Sequence, residues 1–280
     1  MTLSFGNPPK ADFTVDATPR DIEFFARNGY VVFDRITTDT ELAWLRDVYD
    51  ALSATPRTGF PDAVFDPSRP YGTKDAPELG QLIRPERFVP QVVETAMWKN
   101  AKRIATKLLD VPVEQVEYWG HFVFKPPRIG RVTPWHQDEG YWDPDLSYHA
   151  VGGWVPLDDA TIENGCLWFV PGSHKGNVHR HHHVGDDPSV HVLEIRDLEP
   201  VGAVPVPMKA GGISFHHPRT LHYARPNTTA KSRRAWANEF QTAPIKLDVR
   251  ADRPWIDEGR RAMRERMEAQ SDARALVGDG

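Results

Sequence analysis

The chain contains 280 residues, with a formal net charge of −5, 40% hydrophobic residues and 26% charged residues. These values are typical of a folded soluble protein and exclude a disordered or membrane-embedded chain. The acidic balance provides no basic surface for nucleic acid or anionic lipid, so we expect neither as a partner. The start of the chain has no signal-peptide pattern and Cys166 is the single cysteine. Together these features predict a cytoplasmic protein without intrachain disulfides.

Proline is the unusual residue in this composition. The chain has 25 prolines, whereas average usage of roughly 5% would give about fourteen. Because proline interrupts helices and central strands, we expect short strands joined by many turns. We predict one domain over 1–280, with a helical N-terminal part at 18–110, a β core at 111–245 and a helical C-terminal tail at 250–280.

The N-terminal part shows three helical patterns. Thr18 and Asp21 form a capping box before the first helix, and Gly29 is a typical stop after it. Apolar residues at helical spacing predict the second and third helices. The predicted elements are a helix at 18–29, a strand at 30–33, a helix at 38–52, a turn-rich loop at 56–90 and a helix at 93–109.

From residue 111 onward the pattern changes to short apolar runs separated by glycine and proline. In the run at 116–124, both the even-numbered and the odd-numbered residues are largely apolar, as in a strand buried on both faces. Several short strands at even spacing predict a mainly β fold with flanking α-helices, in the form of a sandwich or jelly roll. Further strands are expected at 151–157, 166–170, 191–195, 201–208, 212–216 and 234–240, and a last helix at 255–269.

The segment 134–142, PWHQDEGYW, contains a pair of potential metal ligands. Residues two apart on an extended strand point to the same side, so the His136 imidazole and the Asp138 carboxylate can reach one ion. A mixed nitrogen and oxygen pair suits a borderline divalent metal such as Fe(II). A His-x-Asp tripeptide is common by chance, so the prediction depends on a third ligand.

The segment 211–234 offers that ligand in His216, His217 or His222. Two nitrogens and one carboxylate on one face of an octahedral ion leave three positions open. Two of these can chelate a 2-oxo acid and the third can take dioxygen. A dicarboxylate such as 2-oxoglutarate also needs a cation at its far end, for which Arg233 and Arg234 are candidates. Since adjacent strand residues face opposite sides, only one of the two arginines can point inward.

Four ordered motifs of this chain resemble the phytanoyl-CoA dioxygenase family of Fe(II)- and 2-oxoglutarate-dependent oxygenases. They are PWHQDEGYW, GGWVPLDDAT at 152–161, ENGCLWFVPGSH at 163–174, and the spacing F-H-x5-H-x3-P-N-x5-R from residue 215. The resemblance covers residues 18–240. It implies a double-stranded β-helix (jelly roll, cupin-like) core. It also implies hydroxylation of a small molecule with release of succinate and CO2, using Fe(II), 2-oxoglutarate and dioxygen, with ascorbate as an assisting reductant.

The same resemblance assigns the metal ligands and the co-substrate arginine. His136, Asp138 and His222 correspond to the ligands. Arg233, eleven residues after His222, corresponds to the arginine that binds 2-oxoglutarate. Because Asp138 is retained, the resemblance does not extend to the halogenating relatives that lack the acidic ligand.

Further correspondences concern the walls of the pocket. Trp154 matches a tryptophan beside the co-substrate, His121 lies on a strand that contributes a co-substrate contact, and Trp142 matches an aromatic residue on the substrate side. One position departs from the family, because Ala224 stands where many members have a serine that assists 2-oxoglutarate binding. Either another donor, such as Thr133 or His121, replaces that serine, or 2-oxoglutarate binds more weakly.

Two groups of charged or histidine residues receive no ligand role. The run 179–183, HRHHH, cannot place all its rings around one ion, and we expect a solvated or substrate-side loop. Lys125, Arg128 and Arg131 precede the His-x-Asp strand and are expected either to attract an acidic substrate or to form a solvated rim.

The sequence leaves several alternatives open. Desaturation, cyclisation or epimerisation in secondary metabolism would use the same iron chemistry as hydroxylation. A non-catalytic, cupin-like metal-binding protein would share the fold but would have no need of a buried arginine opposite the metal. The substrate is expected to be a small molecule of undetermined identity, and both a monomer and a homodimer are compatible with the sequence.

Overall fold

The computed structural model describes residues 5–54, 64–70, 79–128 and 131–277, and it consists mainly of antiparallel β-sheet. The larger sheet has seven strands in the order β1-β12-β7-β14-β4-β3-β2. In that order the strands are β1 (Tyr30–Phe33), β12 (Ile213–His216), β7 (Ala150–Pro156), β14 (Arg233–Gln241), β4 (Glu117–Lys125), β3 (Gly80–Ile83) and β2 (Val64–Phe65).

A smaller, four-stranded sheet lies against the inner face of the larger one. Its order is β11-β8-β13-β5, with β11 (Val204–Val206), β8 (Leu167–Phe169), β13 (His222–Ala224) and β5 (Thr133–His136). Phe169 of the smaller sheet stacks on Tyr30 of the larger, with ring centroids 4.9 Å apart. The remaining short strands form two ribbons, β6 (Leu146–Ser147) with β15 (Ile245–Lys246) and β9 (His182–His183) with β10 (Leu193–Glu194).

Two N-terminal helices cover the outer face of the larger sheet. These are α2 (Asp39–Ala54) and α3 (Ala96–Leu109), whose buried side chains share one apolar core with Trp236 and Phe240 of β14. Because side chains alternate along a strand, this packing leaves the residues of opposite parity on β14 facing the smaller sheet. The inner face of β14 therefore carries Arg233, Ala235, Ala237 and Glu239.

The predicted helices are present, with changes at their ends. Helix α1 (Pro19–Asn28) begins at the Thr18 capping box and ends at Gly29, whose φ of 78° is in the left-handed region. Helix α3 begins at Ala96 rather than residue 93, because Thr95 is its N-cap and accepts the backbone amide of Trp98. The last helix, α4 (Pro254–Val277), is longer at its C-terminal end than predicted.

The prediction of a loop at 56–90 was wrong for part of that segment. Strand β3 lies within it and pairs with β4, so that Leu82 stands opposite Phe122 in the larger sheet. The strand is short and follows many prolines, which hid its pattern in the sequence. Residues 55–63 and 71–78 of the predicted loop lie outside the described residues.

The mainly β jelly-roll fold with flanking helices is confirmed. The expected strands at 191–195 and 201–208 are shorter in the structure, as β10 and β11. Within the described ranges, no helix has both the length and the apolar character required to cross a bilayer.

A buried carboxylate joins the two covering helices. Glu41 of α2 accepts hydrogen bonds from the backbone amides of Ala96 (2.6 Å) and Met97 (2.9 Å) at the start of α3. A carboxylate at a helix N-terminus satisfies free amides and interacts favourably with the helix dipole.

We predict that Glu41→Ala lowers the free energy of unfolding by about 3 kcal/mol, because two buried amides lose a charged acceptor. Urea denaturation measures this change. Glu94→Ala, at an exposed carboxylate near the same helix end, is the control, and equal small losses in both variants would contradict the prediction.

Candidate metal centre

Two histidines face each other across the smaller sheet. His136 on β5 is the cross-strand partner of His222 on β13, and their ring centroids are 4.0 Å apart. Both side chains are buried. Asp138 follows β5 by two residues, at the first position of a 3-10 turn over Asp138–Tyr141. The turn begins just past the extended Gln137, and Asp138 therefore lies beside His136, as the sequence predicts.

The three side chains present their donor atoms to one point. Asp138 Oδ1 lies 3.6 Å from His136 Nε2 and 3.4 Å from His222 Nε2. One donor atom from each of the three residues lies within 4.8 Å of the other two. Metal–nitrogen and metal–oxygen bonds of about 2.0–2.2 Å can be formed from such a set. The three donors can thus hold a divalent ion.

The backbone fixes which nitrogen of each ring is free. His136 Nδ1 is 2.7 Å from the carbonyl oxygen of Pro134, and His222 Nδ1 is 3.0 Å from that of Thr220. A carbonyl only accepts, so each Nδ1 carries the proton and donates it. Each Nε2 then keeps its lone pair for an ion. Burial, together with the neighbouring His222, lowers the pKa of His136 and keeps its ring neutral.

His216 supports the carboxylate rather than competing as a ligand. Its Nε2 lies 2.8 Å from Asp138 Oδ2, the oxygen that does not face the histidine pair. Burial alone would raise the pKa of Asp138, but the surrounding histidines, His222 foremost, hold it well below its usual range. One oxygen of the Asp138 carboxylate is therefore bound by His216, and the other points at His136 and His222.

The histidine run at 179–183 is partly structural. His181 is buried, and its Nε2 accepts the backbone amide of Gln137 at 3.1 Å. The Gln137 side chain in turn accepts the amide of His179 at 2.7 Å and donates to the carbonyl of Arg219 at 2.7 Å. The expectation of a solvated loop was wrong for His181, because this buried ring accepts the amide of Gln137, the residue between two candidate ligands.

The start of the C-terminal helix holds the same turn from the other side. Buried Arg253 donates to the Glu139 carboxylate and to the Glu139 carbonyl, both at 2.6 Å. Trp255 Nε1 donates to the Gly140 carbonyl at 2.7 Å. Arg219 completes the pairing of Glu139, with its Nε 2.6 Å from the carboxylate. The turn that carries Asp138 is thus fixed by charged groups from distant parts of the chain.

Of the two candidate arginines, Arg233 points inward. Its guanidinium is 2% exposed and lies 5.0 Å from the centroid of the Trp154 ring. Nε has no hydrogen-bond partner among the described residues, and burial lowers the Arg233 pKa to about 10. Arg234 points outward and pairs with Asp158 and Asp50, both at 2.7 Å. The alternation of the strand separates the two side chains as expected.

Lys125 is a second buried basic residue, and the expectation that it forms a solvated rim was wrong. It is the cross-strand partner of Arg233 and is 1% exposed. Its Nζ donates to the backbone carbonyl oxygens of Arg131 and Ala224. Burial and the nearby Arg233 lower its pKa well below the usual value. Within the described residues neither side chain has a carboxylate partner, so this end of the inner face can receive an anion.

The other predicted pocket residues occupy neighbouring positions. Thr133 is the cross-strand partner of Ala224. His121 and Trp154 both pair with Ala237, one on each side of β14. Burial lowers the pKa of His121 to about 4, and its Nδ1 has no described partner.

An aromatic residue next to Trp142 contacts one of the candidate ligands. Tyr141 packs edge-on against His136, with centroids 5.7 Å apart. The ring of Trp142 packs on Tyr148 at 4.7 Å instead. Sequence reasoning also missed the supporting role of His216, and the only available signal was its position six residues before His222.

The chain is similar to known proteins in both sequence and fold. The phytanoyl-CoA dioxygenase (PhyH) family model matches residues 25–235. A phytanoyl-CoA dioxygenase of Arabidopsis thaliana is 26% identical over 253 residues, or 80% of this chain and 88% of the relative. Phytanoyl-CoA dioxygenase domain-containing protein 1 of Bos taurus is 34% identical over 126 residues, or 44% of this chain and 43% of the relative.

A solved structure is similar over most of its length. EvdO2 from Micromonospora carbonacea var. aurantiaca, crystallised in complex with 2-oxoglutarate, superposes with a TM-score of 0.77 at 38% identity, covering 87% of this chain and 98% of that one. The family-model match covers most of the chain. The chain belongs to the phytanoyl-CoA dioxygenase family.

Proposed function

We propose that this protein is an Fe(II)- and 2-oxoglutarate-dependent dioxygenase that hydroxylates a C–H bond of a small molecule and releases succinate and CO2. One observation carries the proposal. The donor set of His136, Asp138 and His222 lies against the same inner face as Arg233, a buried cation without a described carboxylate partner. The 38% identical EvdO2 was crystallised with 2-oxoglutarate, which supports the choice of co-substrate.

The donor set fits a non-haem iron. Two neutral imidazoles and one carboxylate form the facial arrangement that Fe(II) oxygenases use, and it leaves positions for a chelating co-substrate and dioxygen. His136, Asp138 and His222 would hold the ion. His216 would keep Asp138 oriented, since groups that hydrogen-bond to a metal-binding side chain set the orientation and basicity of that side chain.

The other end of the pocket fits a dicarboxylate. A planar guanidinium binds a carboxylate through two parallel hydrogen bonds, and the free Nε of Arg233 is available for one of them. Lys125 adds a second positive charge beside it. Trp154 would form one wall, and His121 would contribute a further contact. Thr133, opposite Ala224, would supply the hydroxyl that the alanine lacks.

When bound, iron with 2-oxoglutarate and dioxygen supplies oxidative decarboxylation and an oxidant able to cleave a substrate C–H bond, with ascorbate as an assisting reductant. The protein contributes geometry and a dry site. Phe169, fully buried, packs beside both His216 and His222 and excludes water from that side. Trp142 is the proposed aromatic contact on the substrate side.

Related outcomes use the same residues. Desaturation, cyclisation or epimerisation would differ from hydroxylation in how the substrate is placed, and the iron and co-substrate sites would be unchanged. A non-catalytic metal-binding protein is disfavoured by Arg233, because a metal site alone does not require an unpaired buried cation near it. A cytoplasmic location, and a monomer or a homodimer as the assembly, complete the proposal.

We predict that His136→Ala and His222→Ala each abolish Fe(II) binding, because each removes one of three donors. His182→Ala, at a histidine on the ribbon strand β9, should bind iron as the wild type does. Anaerobic isothermal titration calorimetry measures the affinity. Equal losses in all three variants would disprove the proposed ligand set.

We predict that His216→Ala weakens Fe(II) binding by about ten- to a hundred-fold, because Asp138 loses the donor that orients it. His217→Ala is the matched control, since the His217 ring packs on His174 instead. If the two variants bind iron equally well, His216 has no supporting role.

We predict that Arg233→Ala raises the 2-oxoglutarate requirement by about 2–4 kcal/mol, or roughly thirty- to a thousand-fold. Arg234→Ala should lose stability through its ion pairs with Asp158 and Asp50 and keep the wild-type requirement. Succinate formation at varied 2-oxoglutarate measures both. A large effect confined to Arg234→Ala would show that the other arginine binds the co-substrate.

A further inference from the structure

Glu239 is a buried carboxyl group that neither the metal nor the co-substrate uses. It is 6% exposed, and its Oε1 is buried without a hydrogen-bond partner in the described part of the chain. It lies on β14 six residues after Arg233, so both side chains face the smaller sheet. Its cross-strand partners are Trp119 on β4 and Gly152 on β7.

The position of Gly152 places Glu239 near the candidate metal centre. A Cβ atom added at Gly152 would lie 3.4 Å from Asp138 Oδ2 and 2.8 Å from His216 Nε2. Because Gly152 is the cross-strand partner of Glu239, Glu239 is one strand away from the Asp138 carboxylate. Arg233 and Glu239 lie near opposite ends of β14, and the position that pairs with Trp154 lies between them. The co-substrate is proposed at the Arg233 end, which leaves the Glu239 end for the substrate.

An unpartnered buried carboxyl is costly for a protein. The Oε1 atom of Glu239 loses its hydrogen bonds to water and has no partner in the described part of the chain, at a cost of about 1–3 kcal/mol. An apolar residue of the same size would avoid that cost. Buried polar atoms normally have a partner, so a ligand that binds Oε1 accounts for a glutamate at this position.

We propose that Glu239 binds a hydroxyl group of the substrate, and that the substrate is a neutral, hydroxylated small molecule. This inference rests on the proposed function and names the substrate class for the same site. Glu239 lies beyond residue 235, where the family-model match ends. The residue would therefore determine specificity in this chain rather than define the family.

The surroundings of Glu239 favour a hydroxyl over an ammonium group. Burial and the nearby Asp138 raise the pKa of Glu239 well above its usual value, which favours the protonated form. A protonated carboxyl has one donor and one acceptor, and a hydroxyl group can bind both, whereas an ammonium group only donates. Beside Glu239, the Trp119 and His121 rings stack at 5.5 Å and 18°. These rings offer an apolar surface to the carbon framework of a ligand.

Substrate-class binding can be measured without turnover. We expect the anaerobic complex of the protein with Fe(II) and 2-oxoglutarate to show a visible charge-transfer band, which a ligand bound beside the iron would perturb. The probes are a panel of neutral polyols and methyl glycosides and a matched panel of primary alkylamines. The variants are Glu239→Gln, which keeps a donor and an acceptor, and Glu239→Leu, which keeps neither. Gln241→Leu, on the same strand, is the control.

The expected result is that glycosides or polyols perturb the wild-type band and amines do not. Glu239→Gln and the control should retain this response. Glu239→Leu should bind the same probe about ten-fold more weakly while its band before probe addition is unchanged. Failure of every hydroxylated probe with the wild type would overturn the inference, and so would wild-type binding by Glu239→Leu.

Other results separate the two proposals. Binding of amines that is lost in both Glu239 variants would show that Glu239 acts as an anion, which also overturns the hydroxyl assignment. Absence of the band in the wild type would overturn the proposed function and the inference together. A normal wild-type band with a failed probe response overturns the inference alone.

Discussion

The register of strands β5 and β13 is the constraint on which the candidate site depends. Opposite residues of an antiparallel pair have side chains on the same face, so the pairing of His136 with His222 brings two imidazoles from distant parts of the sequence to one point. A slip by one residue would turn one ring away. Hydrogen bonds from Nδ1 of each ring to a backbone carbonyl then fix both free nitrogens. The chain completes the set by turning immediately after β5, where Asp138 enters.

The second organising feature is an imbalance of buried charge. Arg233 and Lys125 are cross-strand partners, both nearly inaccessible, and the described residues provide no carboxylate for either. By contrast, the buried Glu139 carboxylate is paired with both Arg253 and Arg219. The contrast indicates that the inner end of the sheet is built to receive an anion. A dicarboxylate that also binds the metal satisfies both ends of the pocket.

Much of this arrangement follows from local rules that can be applied to a sequence. The His-x-Asp spacing, the alternation that separates Arg233 from Arg234, and the short apolar runs of the sheets all depend on a period of two along a strand. The capping box at Thr18 and the stop at Gly29 are likewise local, and helix α1 has those ends.

The rest depends on contacts between segments that no local pattern connects. His216 donates to Asp138 across two sheets, and His181 binds the Gln137 amide from 44 residues away along the chain. Lys125 looks like a surface residue in the sequence because its burial results from the pairing of β4 with β14. Strand β3 is equally hidden, since its four residues form a strand through their pairing with β4 and β2.

A crystal structure of the protein with 2-oxoglutarate and a redox-inert divalent metal tests the central claim most directly. The account predicts the metal on His136, Asp138 and His222, with the far carboxylate of 2-oxoglutarate on the Arg233 guanidinium. A metal bound by the histidine run at 179–183, or a co-substrate carboxylate on Arg234, would contradict it.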